Sequence, residues 1–78
     1  MTVTEHDHYW SIAGRQCEIT IEPRPAWCDR GRFIAKVWPR GAFALEFDQQ
    51  DGWPRYYFDW ERMLAEIAAW LTCRGQDP

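Results

Sequence analysis

Residues 17–22 read Cys-Glu-Ile-Thr-Ile-Glu, the clearest alternation of apolar and polar side chains in this 78-residue chain. Successive side chains of a β-strand point to opposite faces, so Cys17, Ile19 and Ile21 share one face and the polar residues share the other. This pattern predicts a strand with one buried face and one face in water. The Pro-Arg-Pro sequence at 23–25 ends the strand, because proline cannot donate a hydrogen bond to a sheet.

Further strand patterns lie on both sides of this segment. The additional predicted strands cover residues 9–13, 32–38, 42–48 and 53–58. In the segment 42–48 we expect Phe43, Leu45 and Phe47 to point into the core, because they alternate with small or polar residues. Gly14 is expected to take a positive φ in a tight hairpin turn, and Gln-Gln-Asp-Gly at 49–52 predicts a second hairpin turn.

An amphipathic helix is predicted near the carboxyl end of the chain. Its apolar side chains recur at three- and four-residue spacing, at Trp60, Met63, Leu64, Ile67 and Leu71. Asp59 is placed to cap the amino end, and Gly75 is suited to the left-handed conformation that ends many helices. The predicted fold class is therefore α+β: an antiparallel β-meander of four to five strands with one C-terminal α-helix packed on the sheet.

The length allows a single domain with a small core. We expect one α+β domain over 8–74, with a disordered N-terminal tail at 1–7 and a C-terminal tail at 75–78. The predicted core consists of Ile19, Ile21, Phe33, Val37, Phe43, Leu45, Phe47, Met63, Leu64, Ile67 and Leu71.

Charge and cysteine content indicate the compartment. The net charge is −3, but residues 15–40 carry six basic and three acidic side chains, so the middle of the chain is locally basic. The three cysteines contain no C-x-x-C pair, which favours free thiols in a reducing environment. The first residues lack the pattern of a signal peptide, and the predicted helix is too short and too charged to span a bilayer. We therefore expect a cytoplasmic protein that makes no membrane contact.

Few residues have the pattern of a catalytic or metal site. His6 and His8 have suitable donor atoms for a metal, but they lie in the predicted tail, where no further ligand is fixed. Cys28, beside Asp29 and Arg30, is the most plausible reactive thiol, because a neighbouring guanidinium lowers a thiol pKa. No glycine-rich phosphate loop occurs. We therefore predict no enzyme activity, no catalytic residues, no metal and no cofactor.

The aromatic content is the unusual feature of the sequence. Six tryptophans, three tyrosines and four phenylalanines exceed what so small a core can contain. We expect Trp27, Trp38, Trp53 and Tyr57 on the outer sheet face, at its edges or in loops. Exposed aromatic side chains commonly mark a contact surface, and arginine is often found beside them. The predicted function is binding of a protein partner, or of a second copy as a homodimer, through a patch of Trp38, Trp53, Tyr57, Arg40 and Arg55.

The alternative function is binding of a single-stranded nucleic acid in place of a protein partner. Aromatic rings between basic side chains stack on bases and hold phosphates, and the candidate residues are Lys36, Trp38, Arg40, Trp53 and Arg55. The acidic net charge disfavours this alternative, because nucleic-acid modules are usually strongly basic.

Two resemblances accompany these patterns. A meander followed by one C-terminal helix is similar to the element order of the single-stranded-DNA-binding transcriptional coactivator family. That resemblance implies a dimer that binds single strands through its sheet. Residues 53–60, which read Trp-Pro-Arg-Tyr-Tyr-Phe-Asp-Trp and lead into the helix, resemble small bacterial proteins of uncharacterised function.

Overall fold

The fold is an antiparallel sheet with two helices, seen in a computed structural model that describes residues 1–47 and 52–77. The elements are β1 (Val3–Glu5), β2 (Trp10–Ala13), β3 (Cys17–Pro23), β4 (Phe33–Pro39), α1 (Gly41–Glu46), β5 (Arg55–Tyr57) and α2 (Trp60–Cys73). The five strands lie side by side in chain order, and each pair of neighbours is antiparallel. The predicted α+β meander with a C-terminal helix packed on it is confirmed.

Strand β3 forms the centre of the sheet, as its alternation predicts. Ile19 lies opposite Ile12 on one side and Val37 on the other, and Ile21 lies opposite Ala35. Both isoleucines are fully buried, whereas the alternating polar residues Glu18, Thr20 and Glu22 are at least partly exposed. Burying an aliphatic side chain of this size contributes about 1.5–3 kcal/mol. The register therefore places one continuous apolar face against the helices.

Helices α1 and α2 pack on that same apolar face of the sheet. The buried cluster consists of Ile12, Cys17, Ile19, Ile21, Ala35, Phe43, Tyr57, Met63, Ile67, Trp70 and Leu71. Of the predicted core residues, Phe33, Val37, Phe47 and Leu64 are only partly buried and pack at its margin. Ile12, Cys17, Ala35, Tyr57 and Trp70 belong to the core in addition to the predicted members.

The prediction of a strand over 42–48 is wrong for the described residues, because Gly41–Glu46 forms the short helix α1. Residue 48 lies outside the described part of the chain. Phe43 and Phe47 are four residues apart and therefore share a helix face, where their rings meet edge to face at 5.9 Å. Leu45 points away from that face and is 90% exposed, so its prediction as a core residue is also wrong. A short apolar run is compatible with the periods of both a strand and a helix. The helix is favoured here because it lets Phe43 pack against Trp70 of α2.

Helix α2 has the predicted signals at both ends. A side-chain oxygen of Asp59 accepts a hydrogen bond of 2.8 Å from the backbone N–H of Arg62, which caps the first turn. Gly75 has φ +66°, and its N–H donates to the carbonyl of Thr72 at 3.1 Å. The N–H of Gln76 then donates to the carbonyl of Leu71 at 2.8 Å. This pair of hydrogen bonds satisfies the last carbonyls and turns the chain back.

Both predicted tails contain ordered residues. Val3–Glu5 forms edge strand β1, because Val3 lies opposite Ile12 and packs against the core. Gln76 is only 5% exposed, and its side-chain oxygen accepts a hydrogen bond of 2.6 Å from the backbone N–H of Gln16. The disordered tails predicted at 1–7 and 75–78 are thus wrong at these positions, while residue 78 lies outside the described part of the chain.

The turns also differ from their prediction. Gly14 does not have a positive φ. It is buried instead where a Cβ atom would lie 2.5 Å from the Cys17 sulfur, so close packing explains the glycine. Of the predicted turn at 49–52, residues 49–51 lie outside the described residues, and Gly52 has φ +77°.

Candidate interaction surface

The tryptophans divide into packed and exposed rings. Trp10 and Trp60 pack edge to face at one end of α2, and Trp53 and Trp70 do the same at the other end. Trp27 is 83% exposed and Trp38 is 55% exposed. The expectation that the core cannot contain all the indole rings is therefore confirmed for Trp27 and Trp38.

The predicted patch of five residues is not one surface. Tyr57 lies opposite Phe33 on the face under the helices and is only 8% exposed, so its prediction as an exposed anchor is wrong. Burial also raises the pKa of its phenol. Trp53 is partly buried against Trp70, and the Arg55 guanidinium lies 4.3 Å from the Trp53 ring centre.

Trp38 and Arg40 remain at the surface. Arg40 directly follows β4, where its backbone N–H donates to the carbonyl of Gln16 at 2.7 Å. Its side chain is exposed. Trp38 is thus the one aromatic member of the predicted patch that is classed as exposed.

Trp38 belongs to the sheet face that points away from the helices, here called the open face. Its residues, given by strand register, are Thr4, Ser11, Ala13, Glu18, Thr20, Glu22, Ile34, Lys36, Trp38 and Tyr56. All except Ile34 are at least partly exposed. Within the described ranges, both helices contribute to the core on the other side, so the open face presents its side chains to solvent.

The indole of Trp38 is held in place on the open face. Its Nε1–H donates a hydrogen bond of 2.8 Å to the hydroxyl of Thr20 on the neighbouring strand. Glu18 lies directly opposite Trp38 in the β3–β4 register. A shallow depression of about 220 Å³, here called the Trp38 groove, is lined by Tyr9, Glu18, Thr20, Glu22 and Trp38.

The Trp38 groove is acidic. Glu22 forms a loose ion pair of 3.9 Å with Lys36, and both side chains are substantially exposed. Glu18 makes no ion pair with another described residue.

His6 stacks on the Tyr9 ring at 4.3 Å and forms a 2.7 Å hydrogen bond with Ser11 through Nε2. These contacts fix the aromatic wall formed by Tyr9.

The candidate nucleic-acid residues are only partly brought together. Lys36, Trp38 and Trp53 line one depression of about 320 Å³ at the end of β4. Arg55 lies over the Trp53 ring, and Arg40 does not line this depression.

A third depression, of about 420 Å³, contains Cys28. The pKa of its thiol is lowered, first by the backbone N–H of Arg30 and then by the Arg24 guanidinium. Arg24 Nη2 lies 3.6 Å from the sulfur. The guanidinium carbons of Arg24 and Arg30 each lie 5.6 Å from the Tyr56 ring centre, so this pocket is basic and aromatic.

Residues 1–47 and 52–77 contain no group of three or more histidine, cysteine or acidic side chains placed to hold a metal ion. Among the helices described, none has the length and apolar character needed to cross a membrane.

Sequence reasoning predicted Trp38 but not the residues around it. Glu18, Thr20 and Glu22 carry a signal for a solvent-facing strand surface, but only the β3–β4 register places Trp38 beside them. Comparisons of the chain with protein-family models, curated proteins and solved structures each found no match.

Proposed function

We propose that the protein is a small interaction module that binds a protein partner through its open face, with Trp38 as the anchor. The observation that supports this proposal is the state of the Trp38 indole. It is more than half exposed, yet its N–H is already bonded to Thr20. A ring held in one position loses little conformational freedom on binding, so burial by a partner is more favourable.

The shape and composition of the surroundings agree with a protein contact. Trp and Tyr are enriched among the residues that dominate binding energy, and such residues lie among polar neighbours that exclude water. Trp38 has hydroxyl and carboxylate groups beside it on the adjacent strand β3 and the ammonium group of Lys36 on its own strand. An apolar ring with a polar rim is the arrangement expected of a non-obligate interface.

We favour a different protein over a second copy as the occupant. A symmetric contact through the open face would bring the same patch of each copy together. Such an interface would collect four carboxylates, Glu18 and Glu22 of each copy, against only the two ammonium groups of Lys36, and the chain already carries a net charge of −3. Like charges placed together oppose association, so self-association through this face is disfavoured.

Site-specific photocrosslinking in the native cells tests the proposal. A photoreactive phenylalanine analogue replaces Ala13, which is exposed on the open face, or Ala65, which is exposed on α2 and serves as the matched control. We expect one protein to be crosslinked from position 13 and not from position 65. The captured protein is then purified, and its affinity for the unlabelled module is measured directly.

The direct measurement decides the outcome. Trp38→Ala should weaken binding by roughly tenfold or more, as truncation of a central aromatic anchor does. Trp27→Ala removes an even more exposed indole from a loop and should leave the affinity unchanged. Equal effects of the two substitutions, an adduct between two copies of this chain, or no adduct specific to position 13 would each contradict the proposal.

Single-stranded nucleic acid remains the second candidate, favoured by the depression that Lys36, Trp38 and Trp53 share. Its test is a fluorescence titration with a labelled oligonucleotide at about 50 mM salt, where phosphate contacts are strong. Binding that falls steeply with added salt and weakens in Lys36→Gln would support this candidate. Unchanged tryptophan emission under these conditions would exclude it.

A further inference from the structure

We infer that the Trp38 groove receives a basic side chain, arginine or lysine, from the protein partner. This inference rests on the proposed function and specifies the chemistry of its partner. The groove combines two aromatic rings, Tyr9 and Trp38, with two carboxylates, Glu18 and Glu22. Among the residues that the structure describes, no arginine or lysine side chain lines it.

The aromatic rings provide the first part of the recognition. The ring faces of Trp and Tyr attract a cation within about 6 Å through the ring quadrupole, and Trp attracts it most strongly. The indole N–H of Trp38 donates a hydrogen bond to Thr20, which holds the ring in place. An incoming group therefore contacts the exposed part of the ring and does not compete for this N–H. Tyr9 is stacked on His6 and is still 37% exposed.

The carboxylates provide the second part. Glu18 lies across from Trp38 in the register and makes no ion pair within the described part of the chain. Glu22 is held only by the exposed 3.9 Å contact with Lys36, and exposed pairs of this kind contribute about 0–1 kcal/mol. An incoming cation therefore finds one carboxylate unpaired and a second that exchanges partners at small cost.

The size of the groove fits this occupant. Its volume of about 220 Å³ is several times the ~30 Å³ that one water occupies in the liquid, so a guanidinium or ammonium group can enter with part of its stem. The acidic rim disfavours a phosphate or a carboxylate at the same position. Charge complementarity thus selects a basic segment over an acidic one.

A peptide titration monitored by NMR tests this inference on the intact chain. The probe is the blocked peptide acetyl-Gly-Arg-Gly-amide, and the matched control replaces arginine by citrulline, which has a similar shape but no charge. We expect the arginine peptide to shift the indole N–H signal of Trp38 and the backbone signals of Glu18 and Thr20. The indole signal of Trp27 should not move, and the citrulline peptide should cause no shift.

Two substitutions separate the ring from the charge. Trp38→Ala should weaken the affinity for the arginine peptide, obtained from the backbone shifts, by roughly fivefold or more. Glu18→Gln should weaken this affinity as well, whereas Glu61→Gln, on the exposed face of α2, should not. Equal shifts with arginine and citrulline, or no shift at about 50 mM salt, would overturn the inference.

Failure of this inference is distinguishable from failure of the proposed function. If the crosslinked partner loses affinity in Trp38→Ala but binds the Glu18→Gln and Glu22→Gln variants normally, the module function holds and the basic side chain is excluded. If Trp38→Ala leaves the affinity for the partner unchanged, the proposed function itself fails.

Discussion

Cys28 and Cys73 differ in their surroundings although both are free thiols. The backbone N–H of Arg30 and the Arg24 guanidinium, which lies 3.6 Å from the sulfur, lower the pKa of the Cys28 thiol. Because the thiolate is the nucleophile, iodoacetamide at pH 7 should alkylate Cys28 before the more exposed Cys73. Mass spectrometry of peptides after brief labelling measures both rates.

Arg24→Gln provides the control for that comparison. It removes the guanidinium but leaves the loop backbone donors, so alkylation of Cys28 should become slower while that of Cys73 stays the same. Faster labelling of Cys73 in the unaltered protein would show that exposure, and not the thiolate fraction, determines reactivity here.

The pKa of the Cys17 thiol shifts in the opposite direction to that of Cys28, because Cys17 is fully buried. Burial raises the pKa of its thiol, and the Arg40 charge only partly opposes this shift. A raised pKa in the folded state gives stability that is present below the unfolded pKa, about 8.5, and is lost as pH rises above it. The free energy of unfolding should therefore fall as the pH rises above about 8.5.

Urea denaturation at several pH values measures this effect. Cys17→Ala should be less stable at pH 7, because it removes a buried sulfur, but its stability should depend less on pH over the same interval. Cys73→Ala, at an exposed position, should retain the slope of the parent protein. Parallel curves for the parent and Cys17→Ala would contradict the assignment.

Among the secondary-structure elements, α1 is the one whose type the hydrophobic period alone predicts wrongly. The run Ala-Phe-Ala-Leu-Glu-Phe at 42–47 fits both a strand and a helix. A strand would direct Phe43 and Leu45 to the same side, whereas the helix buries Phe43 and exposes Leu45. Phe43→Ala should therefore destabilise the protein by about 3 kcal/mol, and Leu45→Gln by no more than about 0.5 kcal/mol.

Thermal or urea unfolding of the two variants measures this difference. Comparable losses for Phe43→Ala and Leu45→Gln would argue for the strand. The side-chain oxygen of Gln16, which accepts from the N–H of Phe43 at 3.2 Å, is a second feature that favours the helix. That contact joins residues 27 positions apart in the sequence, so no local pattern predicts it.

The other elements show what local patterns predict well. The alternation of β3 and the capping residue Asp59 of α2 each depend on neighbours within a few positions, and both predictions are confirmed. Gly75 ends α2 with a positive φ as predicted. Strand β1, by contrast, has only three residues, and its sequence carries no signal without the strand it pairs with.

For the whole molecule, the sheet edge at β1 determines part of the stability. Deleting residues 1–7 would remove the pairing of β1 with β2 and the packing of Val3 on the core. We expect this deletion to lower the Tm by about 4–8 °C for each kcal/mol lost. A matched deletion of residues 1–2, which precede β1, should have little effect in the same calorimetric scan.

An unchanged Tm on deletion of 1–7 would instead agree with the predicted disordered N-terminal tail. The measurement also bears on the open face, because His6 stacks on Tyr9 and holds one wall of the Trp38 groove. The larger deletion should therefore weaken binding of the arginine peptide along with stability.

The fold class, the central strand, the final helix and the surplus of indole rings can all be inferred from the amino-acid sequence. These features follow from period, capping residues and composition, which act over a few neighbouring residues. Which rings are exposed depends on the packed fold, because Tyr57 and Trp38 differ through strand register and the position of the helices. The Trp38 groove likewise combines Tyr9 with residues of β3 and β4 that are distant in the chain. Such contacts depend on how elements pack, and no local pattern encodes them.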